Sequence, residues 1–267
     1  MSASVLQAIM SGARRSALER ASRDAGATER AAASTTPRAG EFASALMRPG
    51  VQVIAECKRR SPSKGILRPH YDPVRIASGY AAAGAAAISV LTEPSFFDGH
   101  LDHLRAVRAA VSLPTLRKDF IATEFQLLEA RAAGADAVLL IVAALQRQQF
   151  TTLLAAAANV GLMALVEVHT PEEARVALDH GAMLVGVNSR DLQTLAVSTW
   201  VFESLAMLIK PGVTWVAESG IRTPEDVRQV GALGYSAVLI GERFMTADDP
   251  GATLRQFIAE SRAMEAT

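Results

Sequence analysis

The chain has 267 residues, half of them apolar and a fifth charged, and 27 basic side chains balance 27 acidic ones for a formal net charge of zero. That length and apolar content suit one compact domain with a sizeable core; the even charge excludes the broad basic footprint of a nucleic-acid or anionic-membrane binder, so an anionic ligand has to be met by local charge. A single cysteine, Cys57, excludes an internal disulfide and a thiolate metal cage, and with no apolar run of about 18 residues and no signal peptide around Arg14 and Arg15 the expectation is a cytoplasmic chain.

Residues 1–50 stand apart from the pattern that follows. Val5 to Arg23 carries helix formers and a partial apolar stripe, whereas the small, polar stretch GATERAAASTTPRAG (26–40) reads as irregular. The extension is therefore expected to be part helical, either a flexible leader or a helix packed on or near the mouth of the domain formed by residues 51–267.

From Val51 onward, short apolar runs alternate with alanine-rich helical stretches. The runs are VQVIAE (51–56), AAISVL (86–91), PTLRKD (114–119), AVLLIV (137–142), MALVEV (163–168), MLVGVN (183–188), VTWVAES (213–219) and AVLIGE (237–242). Runs that are apolar almost throughout suit parallel strands covered on both faces. Between them DPVRIASGYAAAG, FQLLEARAAGA, QRQQFTTLLAAAANVG, TPEEARVALDHGA and TPEDVRQVGALGYSA read as helices. Gly84, Gly134, Gly161, Gly181 and Gly234 stand where a glycine stops a helix. Thr170 and Thr223, each followed by proline and two acids, mark helix starts. Eight strand-plus-helix units spaced by about 20–35 residues predict a single (β/α)8 barrel. A doubly wound open sheet is the alternative, weakened by the lack of GxGxxG after any strand.

In such a barrel function sits at the C-terminal ends of the strands. Polar residues collect there: Glu56 and Lys58 at the first run, Lys118 at the third, Glu167 at the fifth, Asn188 at the sixth, Glu218 and Ser219 at the seventh. Charges that repeatedly end apolar strands are costly unless they share one cavity. Side chains alternate along a strand, so Glu56 and Lys58 face one way and Cys57 the other, as a packing residue against the outer helices.

The stretches AECKRRSPSKG, ISVLTEPSFFDG, LRKDFI, LLIVAAL, ALVEVHT, GVNSRDLQT, AESGI and LIGERFM, in this order across residues 41–257, closely resemble indole-3-glycerol phosphate synthase. The resemblance implies a (β/α)8 fold and a carboxy-lyase of tryptophan biosynthesis that needs no metal or cofactor. Its substrate is a small phosphorylated molecule, 1-(2-carboxyphenylamino)-1-deoxyribulose 5-phosphate, closed to an indole with loss of carbon dioxide and water. By the same resemblance Lys118 is the general acid, Glu167 and Lys58 serve the later acid–base steps, and Glu56 and Glu218 keep the ammonium groups charged and aimed. Asn188 and Arg190 then handle the polar and carboxylate groups of the substrate. Ser61 joins Ser219, Gly220 and Gly241 around the phosphate, where barrels commonly bind it. Phe97 and Phe120 match positions at the aromatic end, with Leu139 and Leu192 as further walls or plain core. A monomer is favoured.

Arg59 and Arg60 read as surface charges, Arg60 being a candidate for the rim, and Lys64 as a loop cation. The sequence departs from the family in three places: ECK for EIK or EVK, GARRSALERAS for a more charged leader, and LAVSTWVFESLAML without the usual aspartate after valine. Two other functions stay open. One is phosphoribosylanthranilate isomerase, a related barrel that uses a first-strand cysteine followed by glycine, where Cys57 is flanked by Glu56 and Lys58. The other is a non-catalytic paralogue that only binds phosphorylated ligands, which would have no use for Lys58, Lys118 and Glu167 together.

Overall fold

Each apolar run forms a strand: β1 Gln52–Cys57, β2 Ala87–Leu91, β3 Thr115–Lys118, β4 Ala137–Ile141, β5 Met163–Val168, β6 Leu184–Asn188, β7 Thr214–Glu218 and β8 Ala237–Ile240. The structure is a computed structural model that describes residues 5–36, 38–192 and 194–265. All eight strands are parallel to their neighbours and close in the order β1-β8-β7-β6-β5-β4-β3-β2. The doubly wound alternative is thereby ruled out. The eighth run is shorter than expected: β8 stops at Ile240, and Glu242 opens a short helix instead of extending the strand.

Two helices precede the barrel, α1 Val5–Ser34 and α2 Ala39–Leu46. Around it lie α3 Pro73–Ala83, the short α4 Pro94–Phe97, α5 Leu101–Ala110, α6 Glu124–Ala132, α7 Arg147–Asn159, α8 Pro171–Asp179, α9 Trp200–Ala206, α10 Pro224–Ala232, the short α11 Glu242–Met245 and α12 Pro250–Glu265. The five glycines read as helix stops all have positive φ. Thr170 and Thr223 cap as expected, their hydroxyls accepting from the backbone N–H of Glu173 and Asp226.

Period-two alternation sorts the strand residues into two layers. Ile54, Leu116, Leu139, Leu165, Leu184, Val216 and Leu239 fill the barrel interior. Val53, Ala55, Val138, Leu140, Val166, Val185 and Val238 pack outward with Tyr80, Leu104, Leu127 and Phe150 from the helices. Cys57 belongs to this outer layer, fully buried, and burial pushes its thiol well above the ordinary range. It is a packing residue, not a nucleophile.

The reading of residues 26–40 as irregular holds at Thr35, Thr36 and Arg38, with Pro37 outside the described residues, and is corrected for 26–34 and 39–40, which are helical. α1 continues to Ser34, because Ala31 to Ala33 favour helix and Ala32 is buried against the barrel. Its end is fastened where Thr35 Oγ1 donates to the Arg131 carbonyl at 3.0 Å and Arg131 donates back to the Thr35 carbonyl. Further along α1, Arg20 grips Glu129 of α6 with Nε–Oε1 at 2.5 Å and Nη2–Oε2 at 2.9 Å. α2 then places Phe42 and Leu46, both fully buried, against Ile54, Ala86 and Leu116, closing the end of the barrel where the strands begin. Burying a side chain of that size contributes about 1.5–3 kcal/mol. The other end stays open.

Candidate active site

At the open end the inward-facing positions change from aliphatic to polar. Glu56 follows Ile54 on β1, Lys118 follows Leu116 on β3, Glu167 follows Leu165 on β5, and Glu218 follows Val216 on β7. On β6 the inward sequence is Leu184, Gly186, Asn188. Two glycines make room for the carboxylates beside them: a Cβ at Gly186 would collide with Glu218 Oε1, and one at Gly241 with Glu56 Oε1.

Lys118 is the hub. Its Nζ lies 3.0 Å from Glu218 Oε2 and 3.3 Å from Glu167 Oε2. Lys58 pairs separately, with Nζ 2.5 Å from Glu56 Oε1. Burial opposes the charge on Lys118, but Glu218, Glu167 and Glu56 outweigh it and hold the ammonium protonated far above the usual lysine range. Burial also opposes the charge on Glu167, yet Lys118, His169 and Asn188 keep its carboxyl well below the usual value. Glu218 goes the other way. Burial and the neighbouring carboxylates push it up despite Lys118, and its Oε1 is buried with no hydrogen-bond partner among the described residues. Two carboxyls on one ammonium are thus driven apart, one ionised and one ready to hold a proton.

These groups lie at the floor of a cavity of about 660 Å³, lined also by Ser61, Phe97, Phe120, Leu139, Arg190, Leu192, Ser219, Gly220 and Gly241. Its aromatic side is set by Phe97 and Phe120, ring centroids 6.4 Å apart. Phe97 is held by Glu93, whose carboxylate accepts from the backbone N–H of Ser95, Phe96 and Phe97 and so caps α4. Leu139 also belongs to the barrel core, while Leu192 packs against Leu6 and Met10 of α1. On the opposite side Ser219 and Gly220 both adopt positive φ, and a Cβ at Gly220 would sit 2.9 Å from Ser189 Oγ. Ser61 Oγ accepts from the Lys64 backbone N–H at 3.2 Å, which leaves its hydroxyl proton to donate. Among the described residues no three histidine, cysteine, aspartate or glutamate side chains are grouped as metal ligands.

The family model for indole-3-glycerol phosphate synthase matches residues 6–257. The chain belongs to the indole-3-glycerol phosphate synthase family. It is 47% identical over 249 residues to the indole-3-glycerol phosphate synthase of Mycobacteroides abscessus, covering 93% of this chain and 92% of that protein. The one from Parafrankia sp. is 53% identical over 215 residues, 80% of this chain and 79% of its own length. Among solved structures, a thiamine phosphate pyrophosphorylase from Pyrococcus furiosus superposes with a TM-score of 0.60 at 20% identity, over 80% of this chain and 96% of that one, a likeness of fold alone.

All fifteen residues singled out from the sequence line this cavity. Arg190 does so while tied to the protein, Nη1 donating to the Leu195 carbonyl at 3.1 Å, and its backbone N–H donates to Asn188 Oδ1 at 3.0 Å. Arg59 and Arg60 lie at the surface as read, and there they reach Asp98 at 2.6 and 3.8 Å, joining the loop after β1 to the one that carries Phe97. Lys64 is absent from the lining, as a loop cation would be. Several lining residues escaped the sequence reading. Leu6 and Ile9 reach the cavity from α1, and Arg222 and Arg243 bring positive charge to the Ser219 and Gly241 side. Asp119, beside Lys118, accepts from Arg117 Nη2 at 2.9 Å and from Thr92 Oγ1 at 2.6 Å. For Glu93 a signal existed, an acid directly before Pro94 at a helix start; Leu6 and Ile9 gave none, because only docking of α1 brings them in.

Proposed function

We propose that this cavity closes 1-(2-carboxyphenylamino)-1-deoxy-D-ribulose 5-phosphate to indole-3-glycerol phosphate, with loss of one carbon dioxide and one water, as a carboxy-lyase of tryptophan biosynthesis. The aromatic carbon bearing the carboxylate attacks the ketone carbon, and the Lys118 ammonium protonates the alkoxide that develops. The C–COO⁻ bond then breaks, carbon dioxide leaves, and its electron pair restores the aromatic ring. In the last step the hydroxyl departs as water and the adjacent carbon gives up a proton, with Glu167 and Lys58 as the acid–base pair. Glu56 and Glu218 keep the two ammonium groups charged and directed. Asn188 and Arg190 hold the polar and carboxylate groups of the substrate.

The observation that carries this reading is the Lys118 ammonium held between Glu167 and Glu218 at the floor of a two-sided cavity. The side with Phe97, Phe120, Leu139 and Leu192 suits the anthranilate ring, and the side with Ser61, Ser219, Gly220, Gly241, Arg222 and Arg243 suits the phosphate. Residues 51–267 form the catalytic domain, and the extension 1–50 completes the aromatic wall through Leu6 and Ile9. No helix among the described residues is long and apolar enough to cross a membrane; we place the enzyme in the cytoplasm, as a monomer.

The test is fluorescence-monitored formation of indole-3-glycerol phosphate by the purified protein without added metal or cofactor, beside a Lys118→Ala control. Turnover that is lost in the control supports the reading. Binding of the substrate without turnover would make the chain a binding paralogue and end it.

A further inference from the structure

His169 is the first residue beyond β5, and it does not line the cavity. Its Nε2 lies 3.4 Å from Glu167 Oε1, without the geometry of a directed hydrogen bond, and its Nδ1 lies 3.3 Å from Glu173 Oε2. The backbone N–H of His169 donates to the same Glu173 oxygen at 2.7 Å. Glu173 is itself fixed in the first turn of α8, where its backbone N–H donates to Thr170 Oγ1 at 3.2 Å. Since Glu167 Oε2 faces Lys118 at 3.3 Å, the two oxygens of this carboxylate meet two different cationic groups.

The local charge count asks for such a group. Three buried carboxylates, Glu56, Glu167 and Glu218, share two ammonium groups, Lys58 and Lys118. Burial and this crowding push Glu218 toward its protonated form, whereas Glu167 stays ionised with only a shared claim on Lys118, and a buried charge held in that way is costly without a further cation beside it. An imidazolium at His169 supplies the balance from outside the cavity, where substrate does not compete with it, and the nearer-surface Glu173 steadies the ring.

We propose that His169 is a positioning residue for Glu167: its imidazolium, braced by Glu173, holds the carboxylate ionised and aimed at the reacting atoms. This rests on the acid–base role given to Glu167 above. The other groups facing the pair are Lys118 on β3, Asn188 on β6 and Glu218 on β7, with Glu56 on β1 acting on Lys118 and Glu218. Burial alone would lower the imidazole, but its contacts with Glu167 and Glu173 push it up to about 10, so the ring is charged at neutral pH. The contact works as charge and not as a directed bond, so it does not use up the acceptor capacity of Glu167 Oε1, while Oε2 faces Lys118.

Two arms test the inference. The ring is titrated by NMR in histidine-labelled protein, its signal among the five histidines assigned by its loss in His169→Gln. The wild-type ring is expected to stay protonated past pH 8, and Glu173→Gln and Glu167→Gln are each expected to lower its titration by about one pH unit or more. In the kinetic arm His169→Gln lowers kcat roughly tenfold, the equivalent of one pKa unit of charge interaction, with KM little changed. His169→Lys, which keeps a cation, recovers part of that loss, and in Glu173→Gln the alkaline limb of kcat moves down together with the ring titration. A ring already neutral at pH 8 overturns the proposal, as does a kcat limb that stays put while the titration moves, or an equal loss in the Gln and Lys variants. Absence of turnover in the wild type would sink the functional reading instead, and the NMR arm would still decide whether the imidazolium pairs with Glu167.

Discussion

Lys118 Nζ on β3 lies 3.0 Å from Glu218 Oε2 on β7, four strands away around the closed barrel. The pair spans the diameter of the barrel and fixes the ammonium near its axis, where neither residue could bring it alone. Lys118→Ala removes the proposed acid and leaves two buried carboxylates facing each other. Turnover is expected to fall by roughly 10² or more, in the range of a lost general acid. A loss below about threefold in steady-state kcat would take Lys118 out of that role.

Glu167→Gln keeps the shape of the side chain and removes its charge. Its effect is expected in kcat, by roughly 10², with KM changed far less, since acid–base work is done in the transition state. A defect confined to KM would make Glu167 a binding residue.

Ser61 is buried with its hydroxyl proton free to donate toward the cavity. Phosphate anchoring acts nearly equally on substrate and transition state, so Ser61→Ala is expected to raise KM and spare kcat. Initial rates across a substrate series check this, and a selective loss of kcat would remove Ser61 from the phosphate side.

Gly186→Ala tests the crowding beneath Glu218. The added methyl meets Glu218 Oε1 and comes within 3.1 Å of Leu165 Cδ1, so both must shift. The expected cost is about 1–3 kcal/mol by urea denaturation, with a fall in kcat as Glu218 is pushed against Lys118. An alanine variant as stable and as active as the parent would mean that the floor of the site is looser than it looks.

His169 has a consequence for stability as well as rate. Its folded pKa, raised to about 10, exceeds the ordinary value of 6.5 for the unfolded chain. The folded state therefore holds the proton more tightly, and the stabilisation is fully present below pH 6.5 and lost as pH rises through about 10. Denaturation of wild type and His169→Gln is expected to show the largest gap at pH 6, a smaller one at pH 8 and almost none above pH 10. A gap that does not vary with pH would assign the effect to packing.

The barrel and much of its site were legible in the sequence because both rest on local rules. Period-two alternation puts Glu56, Lys118, Glu167 and Glu218 on the same face as the aliphatic residues two positions before them. Threonine–proline and glycine signals mark helix ends through backbone sterics and capping alone. The misreading of residues 26–34 came from the same reliance on local cues: small and polar in sequence, they are helical to Ser34 because burial of Ala32 and the Thr35–Arg131 contacts come from the barrel.

What the sequence determined by itself is thus the set of strands, the end of the barrel that carries the polar residues, and the side chains that face inward. What only the tertiary structure decided is who meets whom. Lys118 and Glu218 are 100 residues apart in the chain, Arg20 and Glu129 are 109 apart, and closure of the barrel and docking of α1 bring each pair into contact. The charge states of Lys118 and Glu218 follow from that closure, because burial beside particular neighbours, and not the residue type, sets whether a carboxyl such as Glu218 gives up its proton or keeps it.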